Sequence, residues 1–158
     1  MIKENPSPSL SIILPVFNEA GSLRSLHSAL CQVLTNFGSP FEIIYCDDGS
    51  SDDSPSILRE FAQNDPRVRV VILRRNFGQT AAISAGIDQT RGNHIVLLDA
   101  DFQNDPADIP ALVKKLDEGY DIVSGWRKNR QDPFFSKKLP SRIANRLISW
   151  ITGMSLHD

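Results

Sequence analysis

Apolar residues recur along this chain in two rhythms, and the switches between them divide it into repeating units. Short continuous apolar runs, rich in branched residues, occur at Leu10 to Val16 (LSIILPV), Phe41 to Cys46 (FEIIYC) and Val68 to Leu73 (VRVVIL). The run at His94 to Leu98 belongs with them, and Tyr120 to Ser124 reads as a fifth. Such runs suit strands buried on both faces, as in a parallel sheet. Between them the apolar spacing becomes helical. Leu23, Leu26, Leu30, Val33 and Leu34 predict a helix from about Gly21 to Phe37, ended by Gly38-Ser39-Pro40. Further helices are predicted from about Asp53 to Asn64, Gln79 to Gln89 and Ala107 to Gly119. Ser51 or Asp52 suits the cap of the second, and Asp105-Pro106 reads as an N-cap followed by Pro at the first helical position. This regular alternation predicts an α/β domain: a doubly wound, mostly parallel sheet with helices on both faces and right-handed crossovers.

The flanks are less regular. Residues 1–9 are polar with two prolines and read as a flexible lead-in, leaving 10–158 as a single domain. Residues 128–138 read as a mobile surface loop. Ser141 to Gly153 reads as a last helix, with Ile143, Leu147, Ile148 and Ile151 on its apolar side, suited to packing on the domain or lying at a membrane surface. The end at Leu156-His157-Asp158 carries no terminal signature, so a C-terminal truncation is expected.

Composition narrows the class of partner. A net charge of -2 argues against a nucleic-acid binder. Cys31 and Cys46 fall in apolar segments and read as buried free thiols in a reducing compartment. MIKENPSPSL lacks the apolar core of a signal peptide. No apolar run approaches the ~20 residues that span a bilayer, so this segment reads as soluble. His27 reads as a solvated helix residue and His94 as a strand start. Trp126 and Trp150 read as packing residues.

The chemistry gathers where strands end. HIVLLDADFQND passes from an apolar strand to Asp99 and Asp101, with Ala100 between them. In extended backbone residues i and i+2 point the same way, so both carboxylates can face one point. Ionised carboxylates repel unless a cation sits between them, and Mg²⁺ or Mn²⁺ fits oxygen ligands supplemented by substrate phosphates. The other strand exits are polar too: Asn18 and Glu19, Asp47 and Asp48, Arg74 and Arg75, and Arg127. In a parallel sheet these share one edge, where ligands bind. The opposite edge is expected to carry no comparable clusters. A nucleotide is the natural ligand. The chain contains no GxxxxGK[ST] loop and no strand–GxGxxG–helix unit, and DDGSSDDS has the wrong spacing for an EF-hand. A metal held by an Asp pair against a diphosphate remains.

LPVFNEAGSL, DDGSSDDS, RRNFGQTAA, LDADFQNDP and DIVSGWR occur in that order, from about Leu10 to Asp158. Together they resemble a family 2 glycosyltransferase with a GT-A fold, most similar to polyprenyl-phosphate sugar transferases of the dolichol-phosphate mannose synthase kind. The resemblance implies transfer of a sugar from a UDP- or GDP-linked donor to a lipid phosphate, usually with inversion, at the cytoplasmic face of a membrane. It implies that Pro15, Phe17, Asn18 and Glu19 belong to the first donor-binding loop. Phe17 stands where the family often has Tyr, keeping the ring without the hydroxyl. Cys46, through its backbone, and Asp48 match the segment that holds base and ribose. Asp99 and Asp101 match the metal and diphosphate motif, with Ala100 close to the nucleotide, and Asp101 counts among the catalytic residues. Gln103 matches a polar residue that meets sugar or phosphate. Arg127 matches an arginine that pairs with phosphate. Asp158 is a candidate base or acceptor-site residue. Two alternatives stand beside this reading: transfer to a soluble sugar or polymer, and a nucleotide-binding module without turnover.

Overall fold

Every apolar run from Leu10 to Leu97 forms a strand, and the strands pair side by side in one direction. The computed structural model describes residues 8–125. The readings for Arg127, Asp158, Trp126, Trp150, the 128–138 loop and the Ser141 to Gly153 helix lie outside the described residues. Within them the order is β1 (Leu10–Val16), α1 (Ala20–Phe37), β2 (Phe41–Asp47), α2 (Ser54–Asn64), β3 (Val68–Ile72), α3 (Gln79–Ile87), β4 (His94–Leu97) and α4 (Ile109–Leu116). A 3-10 turn at Pro106–Asp108 leads into α4. The sheet is wholly parallel among the described residues, in the order β3-β2-β1-β4. Ile12 of β1 lies opposite Ile43 and Val96, so the three strands present matching faces.

Side-chain alternation sends the two faces to different helices. Leu10, Ile12, Leu14 and Val16, with Ile43 and Tyr45, are buried among Leu23, Leu26 and Leu30 of α1, Leu58 and Phe61 of α2, and Ile109 and Val113 of α4. On the other face Ile13, Ile44 and Cys46 pack on Ala82 of α3. That helix lies very close to the sheet. A Cβ added at Gly86 would stand 2.6 Å from Ile13 Cγ2 and 2.8 Å from Cys46 Sγ. The small residues of α3 thus permit the approach. The predicted doubly wound α/β architecture, with helices on both faces, is the one observed.

Four expectations need correction. The run at His94 to Leu98 is not buried on both faces, because Ile95 and Leu97 are 41% and 53% exposed. These residues lie opposite Ser11 and Ile13 on the α3 side. The contacts of α3 are with β1 and β2, so it leaves the β4 side uncovered among the described residues. Tyr120 to Ser124 forms no strand. Tyr120 turns instead under the Lys115 ammonium, 5.0 Å from its ring centre, and Ile122 is exposed. His27 is not solvated. Its ring stacks on Phe61 at 4.0 Å, and its Nδ1 lies 3.0 Å from the Tyr45 hydroxyl. Burial lowers its pKa below the usual imidazole range.

The fourth correction concerns the opposite sheet edge, which does carry a polar cluster. Glu42, near the start of β2, is buried. It accepts hydrogen bonds from Ser11 Oγ (2.7 Å), the Arg91 backbone N–H (2.7 Å) and the Arg91 guanidinium (3.1 Å). Ser11 Oγ in turn accepts from the Gly92 N–H at 2.9 Å. One carboxylate therefore ties β2, β1 and the turn entering β4.

Burial alone would raise the Glu42 pKa, but the bonds from Ser11 and Arg91 outweigh it and hold the carboxyl below its ordinary 4.5. Its contribution to stability is therefore complete above that value and is lost as pH falls through the lower folded pKa. Glu42→Gln is expected to cost about 1–3 kcal/mol at pH 7. In urea unfolding followed by circular dichroism, the gap between variant and parent should narrow towards pH 3. A gap independent of pH would sink the assignment.

Candidate functional site

The chain reverses its progress across the sheet between β3 and β4, returning to the far side of β1. A parallel α/β sheet opens a crevice at such a point, outside the carboxyl ends of the strands. A cavity of about 370 Å³ lies there. Pro15, Phe17 and Glu19 line it from the exit of β1, and Asp99, Ala100 and Asp101 from the segment after β4. Asp48 after β2, and Asn76, Gly78 and Gln79 from the β3–α3 connection, complete the wall.

The carboxylate pair is held from three sides. The Leu98 N–H donates to Ile13 O at 3.0 Å, continuing the ladder beyond β4. Ala100 is buried, and its carbonyl accepts from Ser22 Oγ in the first turn of α1 at 2.7 Å. Asp99 Oδ1 accepts from Gln79 Nε2 at 2.8 Å. Asp101 Oδ1 accepts from the Gln103 N–H at 3.0 Å, across Phe102 with its φ of +60°. Both aspartates line the cavity, but through a turn at Ala100 and Asp101 that also brings Ala100 to the wall, not through the extended alternation expected of a strand.

The loop after β2 is built around two aspartates. Asp48 is buried, and its two oxygens accept from the N–H groups of Phe77 and Gly78, each at 2.8 Å. Gly49 has a φ of +71°, and a Cβ there would stand 2.5 Å from the carbonyl carbon of Arg75. Only glycine fits both constraints. Asp52 accepts from the first N–H of α2, at Ser54 (2.9 Å), and the first of α1, at Ala20 (3.0 Å). Burial would raise its pKa, but the Ser54 hydroxyl together with these N–H groups holds it below the usual carboxylate range. Asp52, one of the two proposed caps, thus serves two helices.

The remaining expected residues distribute unevenly. Asn18 does not line the cavity. It adopts a φ of +57°, accepts the Ser51 N–H at 2.8 Å and donates its own N–H to Ser50 Oγ at 2.8 Å, which joins the first two loops. The Cys46 side chain points into the core against α3, and burial pushes its thiol pKa up to about 12. Gln103 holds Asp101 through its backbone. Arg74 and Arg75 are exposed, with Arg75 lying over the Phe77 ring at 4.8 Å. The cavity also includes Asn76 and Gln79, to which sequence reasoning gave no role. Their signal was present in RRNFGQTAA, where polar carboxamides flank a glycine at the strand exit.

The chain has relatives among known proteins. A profile of the family described as Glycosyl transferase family 2 matches residues 11–156. The dodecaprenyl-phosphate galacturonate synthase of Rhizobium johnstonii is 44% identical over 154 residues, covering 96% of this chain and 46% of that protein. The undecaprenyl-phosphate 4-deoxy-4-formamido-L-arabinose transferase of Klebsiella pneumoniae is 44% identical over 159 residues, covering 100% of this chain and 48% of that protein. The chain thus spans about half the length of the curated relatives it matches. Among solved structures, glucosyl-3-phosphoglycerate synthase from Mycobacterium tuberculosis in complex with UDP superposes with a TM-score of 0.68. It is 24% identical over 92% of this chain and 51% of its own. A mannosyltransferase from Pyrobaculum calidifontis, solved with GDP-Man and Mn²⁺, has a TM-score of 0.57 at 24% identity, covering 70% of this chain and 32% of its own.

Asp48→Asn replaces one acceptor oxygen by an amide that opposes the Phe77 or Gly78 N–H. The expected result is a loss of about 1–3 kcal/mol and faster hydrogen exchange at those two amides, with less change in α3. Unchanged exchange at Phe77 and Gly78 would show that Asp48 does not hold the loop.

Proposed function

The chain belongs to glycosyl transferase family 2 and has its GT-A fold, and we propose that it is the donor-binding part of an enzyme that moves a sugar from a UDP- or GDP-sugar to a polyprenyl phosphate with a divalent metal. The observation that carries the reading is the Asp99–Asp101 pair on the cavity wall at the sheet's switch point. The acceptor class draws support from the names of the two relatives at 44% identity. The donor class draws support from solved neighbours with UDP and with GDP-Man and Mn²⁺.

The residues suit Mg²⁺ or Mn²⁺. Asp99 Oδ1 accepts from the Gln79 amide and Asp101 Oδ1 from the Gln103 N–H, and the Oδ2 atoms of the pair are the oxygens assigned to an ion. Among the described residues no group of three His, Cys, Asp or Glu side chains is placed to hold a metal unaided. That fits an ion whose remaining ligands are donor phosphates and water, as Mg²⁺ prefers. When bound, the ion supplies positive charge to the leaving nucleoside diphosphate.

The chain's own residues then bind and orient. The Phe17 ring, 45% exposed at the cavity wall, offers a flat apolar surface to the donor. The Ser22 hydroxyl, whose single proton goes to one acceptor at a time, lies 2.7 Å from the Ala100 carbonyl and 3.0 Å from Glu19 Oε2, between the two loops. First loop and carboxylate segment are thereby set relative to each other. Asp48 keeps a second lone pair on each oxygen for a base N–H. The acceptor phosphate is an anion near neutral pH, so it attacks the sugar carbon without strong general-base help as the bond to the diphosphate breaks. Arg127 is assigned to phosphate pairing and Asp158 to the acceptor side. Both assignments rest on the motif match. Among the described residues no helix is long and apolar enough to cross a membrane. A lipid acceptor is reached at a membrane surface, and the proposed enzyme is assigned to the cytoplasmic face because nucleotide-sugars are made there.

A melting-point panel of UDP, GDP and their glucose, mannose and N-acetylglucosamine conjugates, with and without Mn²⁺, tests the reading. A ligand that binds only the native state raises apparent stability by mass action. One nucleotide series should give a Mn²⁺-dependent rise that Asp99→Asn and Asp101→Asn each abolish. Equal shifts in parent and both variants would remove the metal assignment. Transfer to a soluble sugar but not to a polyprenyl phosphate in detergent, by the full-length protein, would overturn the acceptor class.

A further inference from the structure

Gln79 Nε2, the side-chain donor to Asp99, comes from neither β4 nor the loop that follows it. Gln79 is the first residue of α3. Gly78 before it donates its N–H to Asp48 Oδ2, and Phe77 donates to Asp48 Oδ1. Behind it α3 is seated on the sheet through Gly86, against Ile13 and Cys46. The amide that meets Asp99 therefore projects from a fixed helix end.

We infer that Gln79 is a positioning residue for the ion-binding carboxylate, holding Asp99 through one oxygen so that the other is presented to the metal and diphosphate. The inference rests on the metal role proposed for Asp99. Three features support it. The donor is neutral, so it orients a carboxylate without adding a positive charge that would oppose a cation. The bond reaches a ligand of the proposed ion from a different element of the sheet, as outer partners of metal ligands commonly do. The Gln79 side is exposed, so the bond competes with water and does little to stabilise the fold. Its conspicuous consequence is the aim of Asp99.

Electron paramagnetic resonance of free Mn²⁺ tests this on the 158-residue chain, titrated alone and with saturating UDP or GDP. Gln79→Ala should weaken Mn²⁺ binding about tenfold while its melting point stays within about 2 °C of the parent. Gln79→Glu places a third carboxylate beside the pair, so Mn²⁺ without nucleotide should bind at least as tightly as to the parent. A residue with only a structural role would weaken binding in both variants, in proportion to lost stability, and that pattern overturns the inference. Loss of binding in Asp99→Asn with parent-like binding in Gln79→Ala overturns the positioning role alone. No Mn²⁺ binding by the parent, or unchanged binding in Asp99→Asn, removes the metal assignment and the positioning role together.

Discussion

Asp48 is a buried carboxylate whose two oxygens are both committed to backbone N–H groups, and the arrangement of the carboxyl edge depends on it. Ionised acceptors make the stronger class of hydrogen bond, and burial makes an unpaired one costly. The charge therefore holds Phe77 and Gly78 in place as firmly as it needs them. Gly49, without a Cβ, lets the Arg75 backbone come close enough for those bonds to form. The N-terminus of α3 follows from the loop, and Gln79 follows from the N-terminus.

The remaining loops are joined on the same logic, with side-chain oxygens standing in for missing ladder partners. Asp52 takes the first N–H of two helices, Asn18 donates its N–H to Ser50 Oγ and accepts the Ser51 N–H across two strand exits, and Ser54 Oγ receives the Glu19 N–H. Each of these N–H groups would otherwise be an orphan at a helix start or turn. At the other end of the sheet Glu42 does similar work with Ser11 and Arg91. Polar clustering thus occurs at both edges. The cavity lined by such groups lies at the carboxyl edge, where the strand order reverses.

The strand–helix alternation was legible because both periods are strong, and Asp99 and Asp101 were legible as strand-exit residues because the apolar run stops at them, although Asp-x-Asp alone suits turn chemistry and only the other polar strand exits pointed to a shared site. Other features were hidden for physical reasons. His27 sits one turn beyond Leu23 and one before Leu30, on the buried stripe, yet its polar ring suggested water. Its partner Tyr45 lies on β2, beyond the reach of local spacing. Glu42 reads as a strand's polar edge residue until Arg91 is brought to it from the turn before β4. Tyr120 to Ser124 has the composition of a strand, but composition cannot supply a ladder partner. Gln79 was passed over because its role depends on a contact between α3 and the segment after β4, which no periodicity encodes.

The central position of β1 also orders assembly in time. Leu10 pairs with Phe41 on one side and His94 on the other. The first pairing closes a much shorter loop and costs less chain entropy. During synthesis β1, α1 and β2 leave the ribosome well before β4 exists. Asp99 and Asp101 follow shortly after β4, so they reach their places only when the longest-range pairing forms. A partly folded nascent chain with β1–β3 in place therefore has the Asp48 loop but only one wall of the cavity, because the Asp99–Asp101 side is still missing.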